Sequence, residues 1–471
     1  MPLTGYTDEE LNSGRKAMLG GWSEGVGQKP LFTRARGCTV WDSDGREFLD
    51  LTSQAWSNNI GASDPRVLDA ADAQARELTH LRSNYDSVPL LVLAARLAEA
   101  APGNLNKVAF CLHGSLAVES AIKLAMKNGA PGGQIIVLND SYHGRSLATM
   151  GMSWPHYERS FDPMTPVVLR VRQPYSYRAP NGVTPREWAA RCADDLRSTI
   201  KAAGFRKPAA FVMEPIQGNG TQLDFPAEYY RYVREICTEL DVLLVFDEIQ
   251  TGYGRTGAMW AADHYGVVPD IIAFGKGAAG GYPLAGIIAR DDLDEFAPGD
   301  DALTFGQFPV SLAAGIKTLE ILTSDGLIDN AAEMGRYATA ALRGMQSRHE
   351  LIGDVRCPGL LIGVELVKDR ETKEPAAFFR IVLPLTKGGI AATAIFLLIN
   401  SWNEFLFALI LTGRDTSTLP VAIPNLLTPI GTFWGQIAAV ATVTVVPVCL
   451  FAFAVQKYMV TGLTGGALAS E

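Results

Sequence analysis

Two strand-like runs in this sequence end on residues that could do chemistry together. Leu243–Phe246 is followed by Asp247, and Ile271–Phe274 by Gly275-Lys276-Gly277. Both runs are short, rich in β-branched or aromatic residues, and bounded by polar or glycine signals. That is the pattern of strands buried in a parallel sheet. In open α/β sheets, reacting groups gather just beyond the carboxyl ends of the strands. A lysine amine there can hold an aldehyde as a Schiff base, and a carboxylate can keep a proton on a pyridine nitrogen. Pyridoxal 5'-phosphate requires that pair. Taken singly, either residue could instead be a solvated side chain at a strand end.

The same grammar of apolar run, polar turn and helix recurs upstream. Lys107–Leu112 meets His113-Gly114-Ser115 and a helix over Leu116–Lys127; Gln134–Leu138 meets the turn Asn139–Gly144; Ala209–Met213 meets Glu214–Gly218. Alternation of this kind predicts an α/β fold with a mostly parallel sheet and all five turns on one edge. Gly114 and Ser115 at a helix start offer free N–H groups and a dipole to a phosphate, or simply cap the helix. Tyr142 could stack on a cofactor ring or be a half-buried core aromatic. His143 could be a ligand or base, or a histidine hydrogen-bonded beside a glycine turn. Glu214 could orient a substrate amine or a ring hydroxyl, or be an exposed turn carboxylate. Gln250, three residues after Asp247, could reach a cofactor's phenolic oxygen.

Other signals concern scaffold and setting. Cys38–Leu51 reads as a hairpin turning at Asp44-Gly45. Asp64-Pro65 opens a helix, and Val88–Ala101 is a second. At 471 residues the chain predicts more than one domain. Its net charge of -9 argues against a general nucleic-acid binder. Six scattered cysteines without a CxxC pair suit a reducing compartment and no zinc site. The N-terminus has no basic-then-apolar leader, so the front of the chain is expected in the cytoplasm.

From about Phe32 to Pro375 the sequence resembles the class III aminotransferases of the fold-type-I pyridoxal-phosphate enzymes. The stretches that carry the resemblance are GSLAVESAIKLA at Gly114–Ala125, YHGRSLATM at Tyr142–Met150 and EPIQGNG at Glu214–Gly220. They continue as DEIQTGYGRTG at Asp247–Gly257, PDIIAFGKG at Pro269–Gly277, TFGQFPVSLAAG at Thr304–Gly315 and IGDVRCPGLLIGVELVKDRETKEP at Ile352–Pro375. The resemblance implies that Lys276 binds the cofactor covalently and Asp247 pairs with its ring nitrogen. Tyr142 stacks on the ring, Gly114 and Ser115 cradle the phosphate, and Thr304 reaches a phosphate across a homodimer interface. It implies an amino donor and a 2-oxo acid as substrates. It also implies a small-domain segment at 1–60, a large cofactor-binding domain at 61–310, and an α+β small domain at 311–375. That small domain is cut short, before the arginine that would meet a substrate carboxylate. Asn219, and the Gly61–Pro65 turn without histidines, depart from the family pattern.

After Pro375 the chain changes character. Between Thr416 and Gln456 there is no Asp, Glu, Lys or Arg. Gly388–Thr412, interrupted by Glu404, and Gln436–Gln456 are each long enough to span a bilayer. Flanking Arg380, Lys387 and Lys457 predict a two-pass hairpin with both ends in the cytoplasm. FFRIVLPLT at Phe378–Thr386, NSWNEFLFALIL at Asn400–Leu411 and QKYMVTGLTGGAL at Gln456–Leu468 resemble the end of a sugar-type ABC transporter permease. That resemblance implies a membrane location for residues 376–471 and ABC transporter subunits as partners. The join near Glu374–Phe379 has two origins open to it: a gene fusion after a deletion, or a misassembled sequence.

Overall fold

The computed structural model describes residues 5–19, 30–129, 133–153, 168–204, 207–293, 295–369, 374–375, 427–428, 431–432, 434–443 and 445–446. The chain divides into two compact units, one of Met1–Gly344 with Asp354–Val364 and one of Met345–Gly353 with Glu365–Glu471.

The predicted hairpin forms, with one strand more. β1 (Phe32–Arg36), β2 (Thr39–Asp42) and β3 (Glu47–Leu49) make a small antiparallel sheet. Its turn is closed by Asp42, whose carboxylate accepts the Asp44 and Arg46 N–H groups at 3.0 Å each. Gly45 takes φ 80°, a left-handed value that glycine adopts without a Cβ penalty. Asp64 caps the helix Pro65–Glu77 by accepting the Arg66 N–H, as its position before a proline predicted.

The large unit is built on seven strands: β4 (Leu105–Cys111), β5 (Ile135–Leu138), β6 (Val168–Val171), β7 (Ala210–Met213), β8 (Leu243–Asp247), β9 (Ile271–Phe274) and β10 (Ala285–Arg290). Their order across the sheet is β4-β10-β9-β8-β7-β5-β6. β5 to β9 pair in parallel. β10 runs antiparallel to both β4 and β9, which the repeated strand-helix grammar did not disclose. Only residues 275–284 join β9 to β10, short of the roughly dozen residues that a parallel crossover needs. Gly280 and Gly281, at φ 56° and 102°, turn the chain back.

Every residue of β5, β7 and β9 is buried. Alternation sorts their side chains onto two cores. Ile136, Leu138 and Phe211 point into one, with Trp188, Leu196 and Tyr230 from the helices Pro185–Ala202 and Ala227–Glu239. Ile135, Val137 and Val212 point into the other, against Ala117, Ala121 and Leu124 of the helix Gly114–Asn128. A sheet held on both faces fixes its strand ends, and those ends carry the polar residues.

Beyond the helix Leu327–Gln346 come strands Ile352–Arg356 and Gly363–Asp369; the latter pairs antiparallel with Glu374–Pro375. The first predicted membrane span lies outside the described residues. Of the second, 436–443 and 445–446 are described, and 434–443 is helical. Among the described residues, no helix is long and apolar enough to cross a membrane.

Candidate active site

The carboxyl ends of β4, β5, β7, β8 and β9 converge on one cavity of about 180 Å³. Gly114, Ser115, Tyr142, His143, Glu214, Asp247, Gln250 and Lys276 all line it, with His113, Gly144 and Ile249. Thr304 does not: it lies in an exposed turn ahead of the helix Pro309–Ser324. Within one chain it is not brought to the site.

Lys276 follows β9 at φ 45°, a left-handed conformation costly for a side chain with a Cβ. Residues held in this way cluster at functional sites. Its Nζ lies 3.5 Å from Gln250 Oε1 and 5.3 Å from the centre of the Trp56 ring. Burial pushes the amine below the ordinary lysine range. Asp247 and Glu214 pull the other way, and Arg255 adds to the fall. The shift favours the neutral, nucleophilic amine.

Asp247 ends β8 and is 4% exposed. Its Oδ2 accepts a hydrogen bond from His143 Nδ1 at 2.7 Å, and its Oδ1 accepts from the Ile249 N–H at 3.2 Å. The far nitrogen of that ring, Nε2, is buried without a hydrogen-bond partner. Glu214 is buried too, not an exposed turn residue. It accepts the Tyr142 N–H at 2.8 Å and the Gly218 N–H at 2.9 Å. Burial drives its carboxyl up to about 7, against the opposing pull of His143.

At the opposite wall, the helix Gly114–Asn128 starts with no side chain capping its N-terminus. Its first N–H groups and dipole are therefore left for an anion. Ser115 Oγ accepts the Arg145 N–H at 3.1 Å, which ties the β4 and β5 turns together. Gly144 makes this approach possible: at φ 127°, a Cβ there would lie 2.2 Å from Ser115 Oγ.

The family profile described as Aminotransferase class-III matches residues 24–395. The chain belongs to the class III aminotransferases. It is 34% identical to the probable 4-aminobutyrate aminotransferase of Bacillus subtilis over 361 residues, covering 75% of this chain and 83% of that one. It is 37% identical to the isoleucine 2-epimerase of Lentilactobacillus buchneri over 354 residues, covering 73% and 78%. Among solved structures it is similar to a thermostable (S)-enantioselective omega-transaminase from Thermomicrobium roseum, with TM-score 0.74 and 31% identity, covering 83% of this chain and 90% of that one. A second profile, described as Binding-protein-dependent transport system inner membrane component, matches residues 364–465. The two matches overlap at 364–395, around the join that the sequence suggested.

Class III aminotransferases are pyridoxal-phosphate-dependent transaminases, and pyridoxal phosphate is the cofactor of this chain. The residues present fit it. An uncapped helix start offers N–H groups to a phosphate, a buried carboxylate lies at one strand end, and a desolvated lysine lies at the next. His113 and Gly144 fall within the turns read from the sequence but carried no assigned role, and Ile249 was not foreseen as a lining residue. Trp56 was also missed. It belongs to Ser53–Trp56, four consecutive residues with φ between 50° and 63°. A left-handed turn without glycine has no sequence signature.

Proposed function

We propose that this class III aminotransferase moves an amino group from an amine or amino acid to a 2-oxo acid, with Lys276 and Asp247 as its catalytic residues. The observation that carries the reading is their placement on adjacent parallel strands, β9 and β8, at the ends that open into one cavity. When bound, pyridoxal phosphate supplies an electron sink for charge developing on the substrate carbon. Gly114 and Ser115 would hold its phosphate, Tyr142 would cover its ring, and Asp247 would keep the ring nitrogen protonated while His143 fixes the carboxylate. Glu214 and Gln250 orient the ring hydroxyl or the substrate amine. Lys276 Nζ would hold the cofactor, and the same amine would carry the substrate's α-proton. Thr304, exposed in this chain, serves the phosphate site of the neighbouring subunit in a homodimer. The visible absorbance of the purified protein tests the reading: a cofactor band is expected, and its persistence in Lys276→Ala would sink it.

A racemising chemistry is the second reading, favoured by the similarity to an isoleucine 2-epimerase and to the leucine/methionine racemase of Thermococcus litoralis, the latter at 35% identity. The same Lys276 amine would remove the α-proton, and solvent or a second acid on the opposite face would return one. Chiral chromatography with and without an added 2-oxo acid separates the two.

For the tail, we propose a permease-like membrane segment over 376–471, supported by the absence of charge across Thr416–Gln456 and by the transport-component profile. Alkaline carbonate washing of membranes tests this; release of the full-length chain into the supernatant would count against insertion.

A further inference from the structure

Lys276 Nζ donates toward Gln250 Oε1, and what aims that carboxamide lies further from the cavity. Gln250 Nε2 donates to Gln222 Oε1 at 3.1 Å, so the nitrogen end faces Gln222 and the oxygen end faces the amine. Gly218 leaves room for this arrangement, because a Cβ there would lie 2.4 Å from Gln250 Oε1.

Gln222 is itself held in an expensive conformation. Thr221 and Gln222 take φ 73° and 58°. Such a conformation is costly for a residue with a Cβ and persists where its surroundings impose it. Arg356 does the imposing. Its Nη2 donates to the Thr221 carbonyl at 2.9 Å and its Nε to the Gln222 carbonyl at 3.1 Å. The guanidinium is fixed in turn by Asp354 Oδ2, 2.6 Å from Nη1, and lies 5.0 Å from the centre of the Tyr175 ring. Arg356 is 7% exposed.

We propose that Arg356 and Gln222 are positioning residues acting through Gln250: the guanidinium clamps the left-handed turn, and the turn's glutamine keeps the Gln250 carboxamide oxygen on the Lys276 amine. The proposal rests on Lys276 being the reacting amine, and it assigns a role to Asp354–Val364, which lies in the same unit as the site. The other groups facing the amine are the carboxylates of Asp247 and Glu214, the Arg255 guanidinium and the Trp56 ring.

The test uses the full chain freed of cofactor, with the rate of Lys276 acetylation by acetic anhydride followed against pH by peptide mass spectrometry. A carboxamide acceptor stabilises the ammonium form, so Gln222→Leu should lower the midpoint by about one pH unit, the size of one hydrogen bond. Gln250→Leu should lower it equally, and the double variant no further. Gln222→Glu, which keeps an acceptor, should not lower it. Should Gln222→Leu fail to fold in a thermal melt, Arg356→Lys replaces it: it loses the fork across both carbonyls, and the expected direction is the same. An unmoved midpoint in a folded variant, or additive Gln222 and Gln250 effects, overturns the proposal. Since no cofactor is present, either outcome is independent of the visible-band test of Lys276.

Discussion

His143 and Asp247 form a buried pair across 2.7 Å, 104 positions apart in the chain. The imidazole gives the buried carboxylate a side-chain donor. The other ring nitrogen, Nε2, is buried and meets no hydrogen-bond partner. The pair fixes the Asp247 side chain in place at the strand end.

Removing that donor should weaken cofactor binding. A hydrogen bond to a charged group is worth about 1.5–3 kcal/mol, so His143→Leu should raise the dissociation constant for pyridoxal phosphate roughly 10- to 100-fold. His143→Asn, which keeps a side-chain N–H near the Nδ1 position, should recover part of the loss. Equilibrium dialysis of the two variants gives the comparison, and equal affinities in His143→Leu and the parent would contradict it.

Gly144→Ala should hurt both fold and site. The new Cβ has to displace Ser115 Oγ, and the left-handed φ adds about 1–2 kcal/mol of strain. We expect a lower denaturation midpoint in urea together with weaker phosphate binding, read as competition by inorganic phosphate. A midpoint unchanged from the parent would show that the β5 turn yields easily.

Glu248 gives a pH prediction free of the cofactor. It is buried beneath the helix Ala261–Tyr265, where its carboxylate accepts the Ala261 and Ala262 N–H groups at 2.8 Å and the Thr251 hydroxyl at 2.7 Å. Burial nevertheless pushes it from 4.5 up to about 7. The folded state then holds a proton that the unfolded state has released. Its contribution is fully present below about 4.5 and is lost as the pH rises through about 7, a fall of roughly 3 kcal/mol. Glu214 acts in the same direction. Urea melts between pH 4.5 and 8 should show that decline, with a shallower slope in Glu248→Gln; parallel slopes would refute the assignment.

The join can be examined directly. DNA sequencing across codons 370–385 should return the Glu374–Phe379 junction if the two families are fused in the gene. Recovery of a longer class III ending would remove the tail.

Much of the site could be read from strand ends, because a buried parallel strand announces itself by an apolar run and a polar stop. Asp247, Lys276, Glu214 and the Gly114 helix start were all legible for that reason. What was not legible depends on pairing across distance. Nothing near His143 foretells Asp247, and nothing near Gln222 foretells Arg356. β10 was hidden because direction is a property of the connection, not of the strand. Thr304 was named from family resemblance alone, and in one chain it stands apart.

The placement of β10 also sets a length. It separates β4, which delivers the uncapped helix start, from β9, which delivers Lys276. Neighbouring strands lie about 5 Å apart, so the anion seat and the amine stand on tracks about 10 Å from one another. The sheet therefore works as a caliper. The lysine side chain has to reach back across that gap to meet a ligand seated at the helix start, so a shorter amine on the same track would not close it.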